Sequence, residues 1–194
     1  MNQTETDNSV CKGNSQVFDP EQRKSLLKLG RDAIEIYLDT SMVLSPPPDE
    51  FLRTPSAAFV TLKSNTELRG CIGSTDASTP LGETIVHCAI SAAFRDPRFP
   101  PLTKIEYAGI SLEISVLSSF QRSAHPHDVI AGIHGLMITH RMGRGLLLPQ
   151  VAIEYGWDRD TFLMFACRKA GLADDAWKDP STIIETFTAE VFGE

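Results

Sequence analysis

No stretch of this sequence is apolar for long enough to cross a bilayer, which takes about 20 consecutive apolar residues, so no membrane-spanning helix is expected. Residues 1–16 also lack the apolar core of a secretory leader, and the expected compartment is the cytoplasm. Cysteine is sparse. Cys11, Cys71, Cys88 and Cys167 are the only four in 194 residues, and none are paired at zinc-ligand or redox-motif spacing. A disulfide scaffold is thereby excluded, and reduced thiols are expected. Positive charge is in deficit: 18 Lys and Arg stand against 25 Asp and Glu, a net charge of −7. A general nucleic-acid binder would normally show a basic face, so nucleic acid is an unlikely partner. No internal repeat is visible, and no residue pattern specifies a cofactor.

What is present suits one globular domain with a real core. Apolar residues make up 42% and charged residues 22% of the chain. Residues 1–18 read as a polar mobile tail and residues 19–194 as one large domain or a domain with a small appended lobe. Asp19-Pro20-Glu21-Gln22 opens a helix: aspartate caps, proline fits the first turn, and Gln22 completes a capping box. Residues 57–63 read as a strand, 64–67 as a turn, and 68–72 as the returning strand of a hairpin. A second helix begins at Thr79-Pro80 and stops before Asp96-Pro97, because the residue ahead of proline resists helical geometry. Residues 110–120 alternate apolar and polar, as a strand with one buried face does. Residues 136–140 and 145–148 form another hairpin, two short helices follow, and residues 181–192 read as a final strand. Hairpins interspersed with helices predict an α+β fold with a largely antiparallel sheet.

The candidate chemistry centres on residues 68–73, LRGCIG. Two glycines in four residues weaken a strand unless a bulge, a bend or a close approach requires them. Strict alternation would put Arg69 and Cys71 on one face, about 7 Å apart. Two readings stand. In one, Arg69 lowers the thiol pKa of Cys71, a nucleophile, Gly70 and Gly73 admit a substrate, and His134 moves the proton. In the other, Cys71 is packing beside glycines that shape a bend. Arg95 and Arg98 flank Asp96-Pro97, and either grip an anionic ligand or lock a proline-bound loop through Asp96. His125-Pro126-His127-Asp128 only loosely resembles a metal-ligand cluster.

Residues 68–73 (LRGCIG), Ala92-Ala93 with Asp96-Pro97-Arg98-Phe99, Gly132-Ile133-His134-Gly135-Leu136, residues 145–151 (GLLLPQV) and Lys169-Ala170-Gly171-Leu172 stand in that order. In this the chain resembles the AMMECR family, most closely its stand-alone prokaryotic members, labelled AmmeMemoRadiSam system protein A. The resemblance spans roughly residues 20–192. It implies an α+β fold with a sheet flanked by helices and a smaller second lobe, so that residues 19–194 form a single domain with two lobes, a cytoplasmic protein, and Memo-like and radical S-adenosylmethionine proteins as partners. It supplies no reaction and no catalytic residues. Two functions from different classes are therefore expected: an enzyme or enzyme-system component with a Cys71-centred cleft acting on an unknown small-molecule or peptide ligand, or a non-enzymatic binding or adaptor module.

Overall fold

The structure is a computed structural model that describes residues 17–194. Residues 1–16, with Cys11, lie outside the described residues. Phe18, the last residue of the expected tail, belongs to the core: it is 2% exposed and packs edge-on against Phe51 and Phe192. Its N–H donates to the Glu190 carboxylate, which also pairs with Arg23.

Helix α1 (Pro20–Thr40) starts with the expected capping box, in which Asp19 accepts from Gln22 N–H and the Gln22 side chain reaches back to Asp19 N–H. The first sheet contains β1 (Ala58–Ser64), β2 (Glu67–Ser74), β3 (Ile110–Leu117) and the C-terminal β8 (Ala189–Gly193), in the antiparallel order β2-β1-β3-β8. Asn65 makes the β1–β2 turn with φ 57°, a left-handed conformation that asparagine tolerates. Val60, Leu62, Leu112 and Ile114 are buried on one face of this sheet, where they share a core with Leu26, Ala33, Ile34 of α1 and Ile85, Ala89 of α3 (Leu81–Phe94). Short helices α2 (Glu50–Arg53) and α4 (Lys104–Tyr107) flank α3 in sequence.

The second sheet has the order β4-β7-β5-β6, from β4 (Gln121–Arg122), β5 (Gly135–His140), β6 (Gly143–Leu147) and β7 (Ile183–Phe187). It packs on α5 (Pro149–Glu154) and α6 (Arg159–Lys169) around Leu136, Ile138, Phe162, Leu163 and Ala166. The fold is α+β with antiparallel sheets, as expected.

Two expected strands prove to be four. The first, residues 110–120, ends as β3 at Leu117 and the chain resumes a strand, β4, only at Gln121, while residues 181–192 divide into β7 and β8. Both breaks fall at the same place. Ser118 N–H donates to Thr188 C=O, and Thr188 N–H donates to the Ser118 hydroxyl. There the paired chains leave one sheet and enter the other. Alternation continues through such a corner, so periodicity alone reads one strand.

Gly70 fixes how α3 lies on β2. A Cβ built on Gly70 would stand 2.2 Å from the carbonyl oxygen of Ala92, a main-chain atom that cannot rotate away. Gly70→Ala is therefore expected to destabilise the fold by about 3 kcal/mol or to prevent folding. At Gly109 the same construction meets nothing closer than 3.7 Å, and Gly109→Ala is expected to stay within about 0.5 kcal/mol of the parent. Urea denaturation midpoints measure both; equal midpoints for the two variants overturn the assignment.

Candidate functional site

The register of the first hairpin decides where Arg69 and Cys71 point. Leu62 pairs with Gly70, but Lys63 pairs with Leu68, so Arg69 is the extra residue of a β-bulge. A bulge re-aims a side chain, and here it breaks the expected alternation. Leu68 is 43% exposed while Arg69 is 8% exposed. The Arg69 guanidinium turns toward the segment after α3. Its Nε donates to Glu106 at 3.0 Å and its Nη2 to the Pro100 carbonyl at 2.9 Å, and its charged end lies 5.7 Å from the Phe99 ring centroid. Its Nη1 is buried without a hydrogen-bond partner. Arg69 serves Glu106, which its hydrogen bond, with two more from Thr103, pulls down to a pKa of about 2. No hydrogen bond joins Arg69 to Cys71.

Cys71 is half-buried and sits across from Thr61, whose hydroxyl donates to Sγ at 3.3 Å. On the same face of the sheet Lys63 pairs with Glu113 at 2.9 Å. The backbone of Cys71 is held from outside the sheet. Its N–H donates to Asp96 Oδ2 at 2.9 Å and its C=O accepts from Arg98 Nη2 at 3.2 Å. Arg98 Nη2 and Nε bond the two Asp96 oxygens at 2.6 and 2.9 Å. Asp96 is 4% exposed, and the Arg98 guanidinium, then the N–H groups of Cys71 and Arg98, hold its carboxyl well below the usual carboxylate range against the cost of burial. Arg98 thus serves Asp96 and Cys71, whereas Arg95 caps the end of α3 as an exposed side chain that joins neither.

The two motif glycines are filled by protein. The Ala92 carbonyl occupies the space beside Gly70, and the Phe59 ring, across the hairpin, occupies the space beside Gly73, 2.1 Å from where a Cβ would stand. His134 belongs to the second lobe. Its Nδ1 accepts from Ile130 N–H at 3.1 Å, and burial lowers its pKa against the opposing effect of Asp128. No hydrogen bond or ion pair connects it to Cys71. Cys88 is a buried thiol pushed up to about 11 by burial. Two grooves stand out, of about 600 Å³ between the start of α1 and α2 and about 400 Å³ beside Pro55, Ala77 and Leu117; Cys71 lines neither. Among the described residues no group of three His, Cys, Asp or Glu side chains is placed to hold a metal ion.

A second surface escaped the sequence reading. Tyr155 stacks on Trp157 with centroids 4.9 Å apart, Trp157 stacks on Phe165 at 4.0 Å, and Arg168 lies over Phe165 at 4.9 Å. Beside this column, Ile153 is 66% exposed and Tyr155 68%. Gly132 lies against Ile153, which brings up the turn carrying Ile130 (51% exposed) and Ile133 (56%). The signal in the sequence was two aromatics flanking Gly156 and two isoleucines flanking Ala131-Gly132, each unremarkable alone.

Both carboxylates at β2 titrate below their unfolded values, Glu106 from 4.5 to about 2 and Asp96 from 3.8 downward. Their contribution is complete above the unfolded values and is lost as pH falls through the folded ones. Stability is expected to drop between about pH 4.5 and pH 2, and Asp96→Asn to cost about 1–3 kcal/mol at neutral pH and to flatten that drop. Denaturant midpoints across the range measure it; identical pH profiles for parent and variant overturn the role given to Asp96.

The chain is 41% identical over 192 residues to a protein of Thermofilum pendens, covering 90% of each. It is 40% identical over 182 residues to one of Methanothermobacter thermautotrophicus, covering 90% of this chain and 95% of that protein. Among solved structures, the uncharacterized protein PH0010 of Pyrococcus horikoshii matches with TM-score 0.83 and 40% identity over 87% of this chain and 89% of that one. The family model described as AMMECR1 matches residues 27–192, and the chain belongs to the AMMECR1 family.

Proposed function

We propose that this protein is a cytoplasmic binding module that works by docking a protein partner on its second lobe rather than by chemistry at Cys71. The observation that carries this reading is the group of exposed apolar side chains where the Ile130–Ile133 turn meets Ile153, with Tyr155 of the stacked Tyr155–Trp157–Phe165 column two residues on, each of the four more than half exposed. Scattered exposed apolar residues are ordinary, but a grouped patch marks an interaction site. Stacked aromatics offer contact area at little cost in conformational entropy. Supporting it from the other side, Arg69, Gly70, Gly73 and His134 are all engaged within the fold and do not converge on the Cys71 thiol. The partners proposed are those of the family label, a Memo-like protein and a radical S-adenosylmethionine protein.

One observation favours the thiol-enzyme reading as second: Cys71 is only partly buried and its sulfur receives the Thr61 hydroxyl. A calorimetric titration of the purified chain with a Memo-like protein from the same genome separates the two. Cys71→Ala is expected to bind as the parent does, and Tyr155→Ala and Ile133→Asp to bind about tenfold or more weakly. Undiminished binding by both second-lobe variants, or no binding by any form together with loss of in-cell function in Cys71→Ala, overturns the docking reading.

A further inference from the structure

Residues 130–134 form a turn anchored on both sides in the core of the second lobe, where Val129 and Leu136 are buried. Ile130 and Ile133, which belong to the docking surface, project from it. Gly132, with φ 85°, brings the turn against Ile153. The Ile130 carbonyl accepts from the N–H groups of Ile133 and His134 at 3.2 and 2.9 Å. The Ile130 N–H in turn donates to His134 Nδ1 at 3.1 Å. The residue that ends the turn thus grips both backbone groups of the residue that begins it, one of them through its ring.

The ring bond exists in one protonation state only. Nδ1 accepts with its lone pair, which assigns the proton of the neutral ring to Nε2. A second proton goes to Nδ1, and both ring nitrogens are then donors. Two N–H groups would face each other at Ile130, and an attraction becomes a repulsion. His134 is partly buried. Burial lowers its pKa from 6.5, while a backbone hydrogen bond at Asp128 and the charge of Asp128 raise it. Of the ionisable side chains on the elements around the turn (His125, His127 and Asp128 before it, Glu154 on α5), Asp128 is the one that acts on the ring. Strand β7 contributes the apolar Phe187, beside Gly135. The clasp is therefore closed at pH 6.5 and above and opens as the pH falls below that value.

We propose that His134 is a proton-operated clasp on the docking turn. Neutral, it holds the turn that presents Ile130 and Ile133; protonated, it lets that turn go and the apolar group disperses. Its bearing on function rests on the docking reading of this lobe.

The test follows amide exchange of the free chain at about pH 7.5 and about pH 5.5, expressed as protection relative to the unfolded chain, and titrates the same samples calorimetrically with the Memo-like protein. In the parent, protection of the Ile130 amide is expected to fall about tenfold at the lower pH and binding to weaken about tenfold. His134→Asn sets an amide oxygen near the place of Nδ1 and takes up no proton. It is expected to match the parent at the higher pH and to change by less than about twofold at the lower one, which also controls for titration of the partner. His134→Leu, with no acceptor, is expected to show low protection and weak binding at both, and either variant decides the test if the other does not fold. Ile130 protection that is indifferent to pH in the parent, or that falls equally in His134→Asn, overturns the clasp. So does parent binding indifferent to pH where Tyr155→Ala binds weakly. If no form binds at the higher pH, the docking reading falls, and Ile130 exchange alone decides whether the clasp stands.

Discussion

The contact between Gly70 and the carbonyl of Ala92 is the constraint on which the first lobe depends. A helix ordinarily rides over a sheet at a height set by the side chains between them. With no Cβ at Gly70, α3 descends until its main chain touches the strand. That descent sets where the helix ends. Pro97 forbids further turns, and Asp96, just before it, arrives beside the outward N–H of Cys71. Were α3 a side chain's thickness higher, the carboxylate would miss its donor and the buried charge would lack what stabilises it.

The bulge beside Gly70 explains why Arg69 makes no hydrogen bond to the thiol. The bulge that admits Arg69 turns it under the proline-bound segment, where Glu106, the Pro100 carbonyl and the Phe99 ring receive it. Two acid–base pairs, Arg69–Glu106 and Arg98–Asp96, then fasten one segment to one strand. In each, one partner is the more deeply buried: the arginine in the first, the carboxylate in the second. Each is held by neutral hydrogen-bonding groups as well as by its counter-ion, the condition under which a buried charge is tolerated.

Much of this architecture was legible in the sequence because local chemistry dictated it. The Asp19 capping box, the first hairpin and the stop of α3 ahead of Pro97 follow from cap, turn and proline rules. The Asp96–arginine lock was one of two readings and is the one whose geometry is seen. What could not be read depended on partners distant in sequence. The bulge exists only relative to Lys63 and Leu62, the filling of Gly73 only relative to Phe59, and the strand corners only relative to each other. Gly143 and Gly145 are of the same kind: they read as a plain hairpin turn, yet each lies against the main chain of Ala170 at the end of α6. The aromatic column likewise joins Tyr155 and Trp157 to a residue one helix further on.

The corner at Ser118 and Thr188 has a mechanical consequence. The lobes are joined by two chain crossings that are hydrogen-bonded to each other, not by a single flexible linker. Such a ribbon resists stretching and shear but yields to twist, the softest deformation of a pair of strands. A load applied at the aromatic column of the second lobe reaches the first sheet as torque about the β3–β8 pair. The C-terminal end of β8 is anchored to α1 through the Glu194–Arg31 ion pair, so that torque is passed on to the helix that roofs the core.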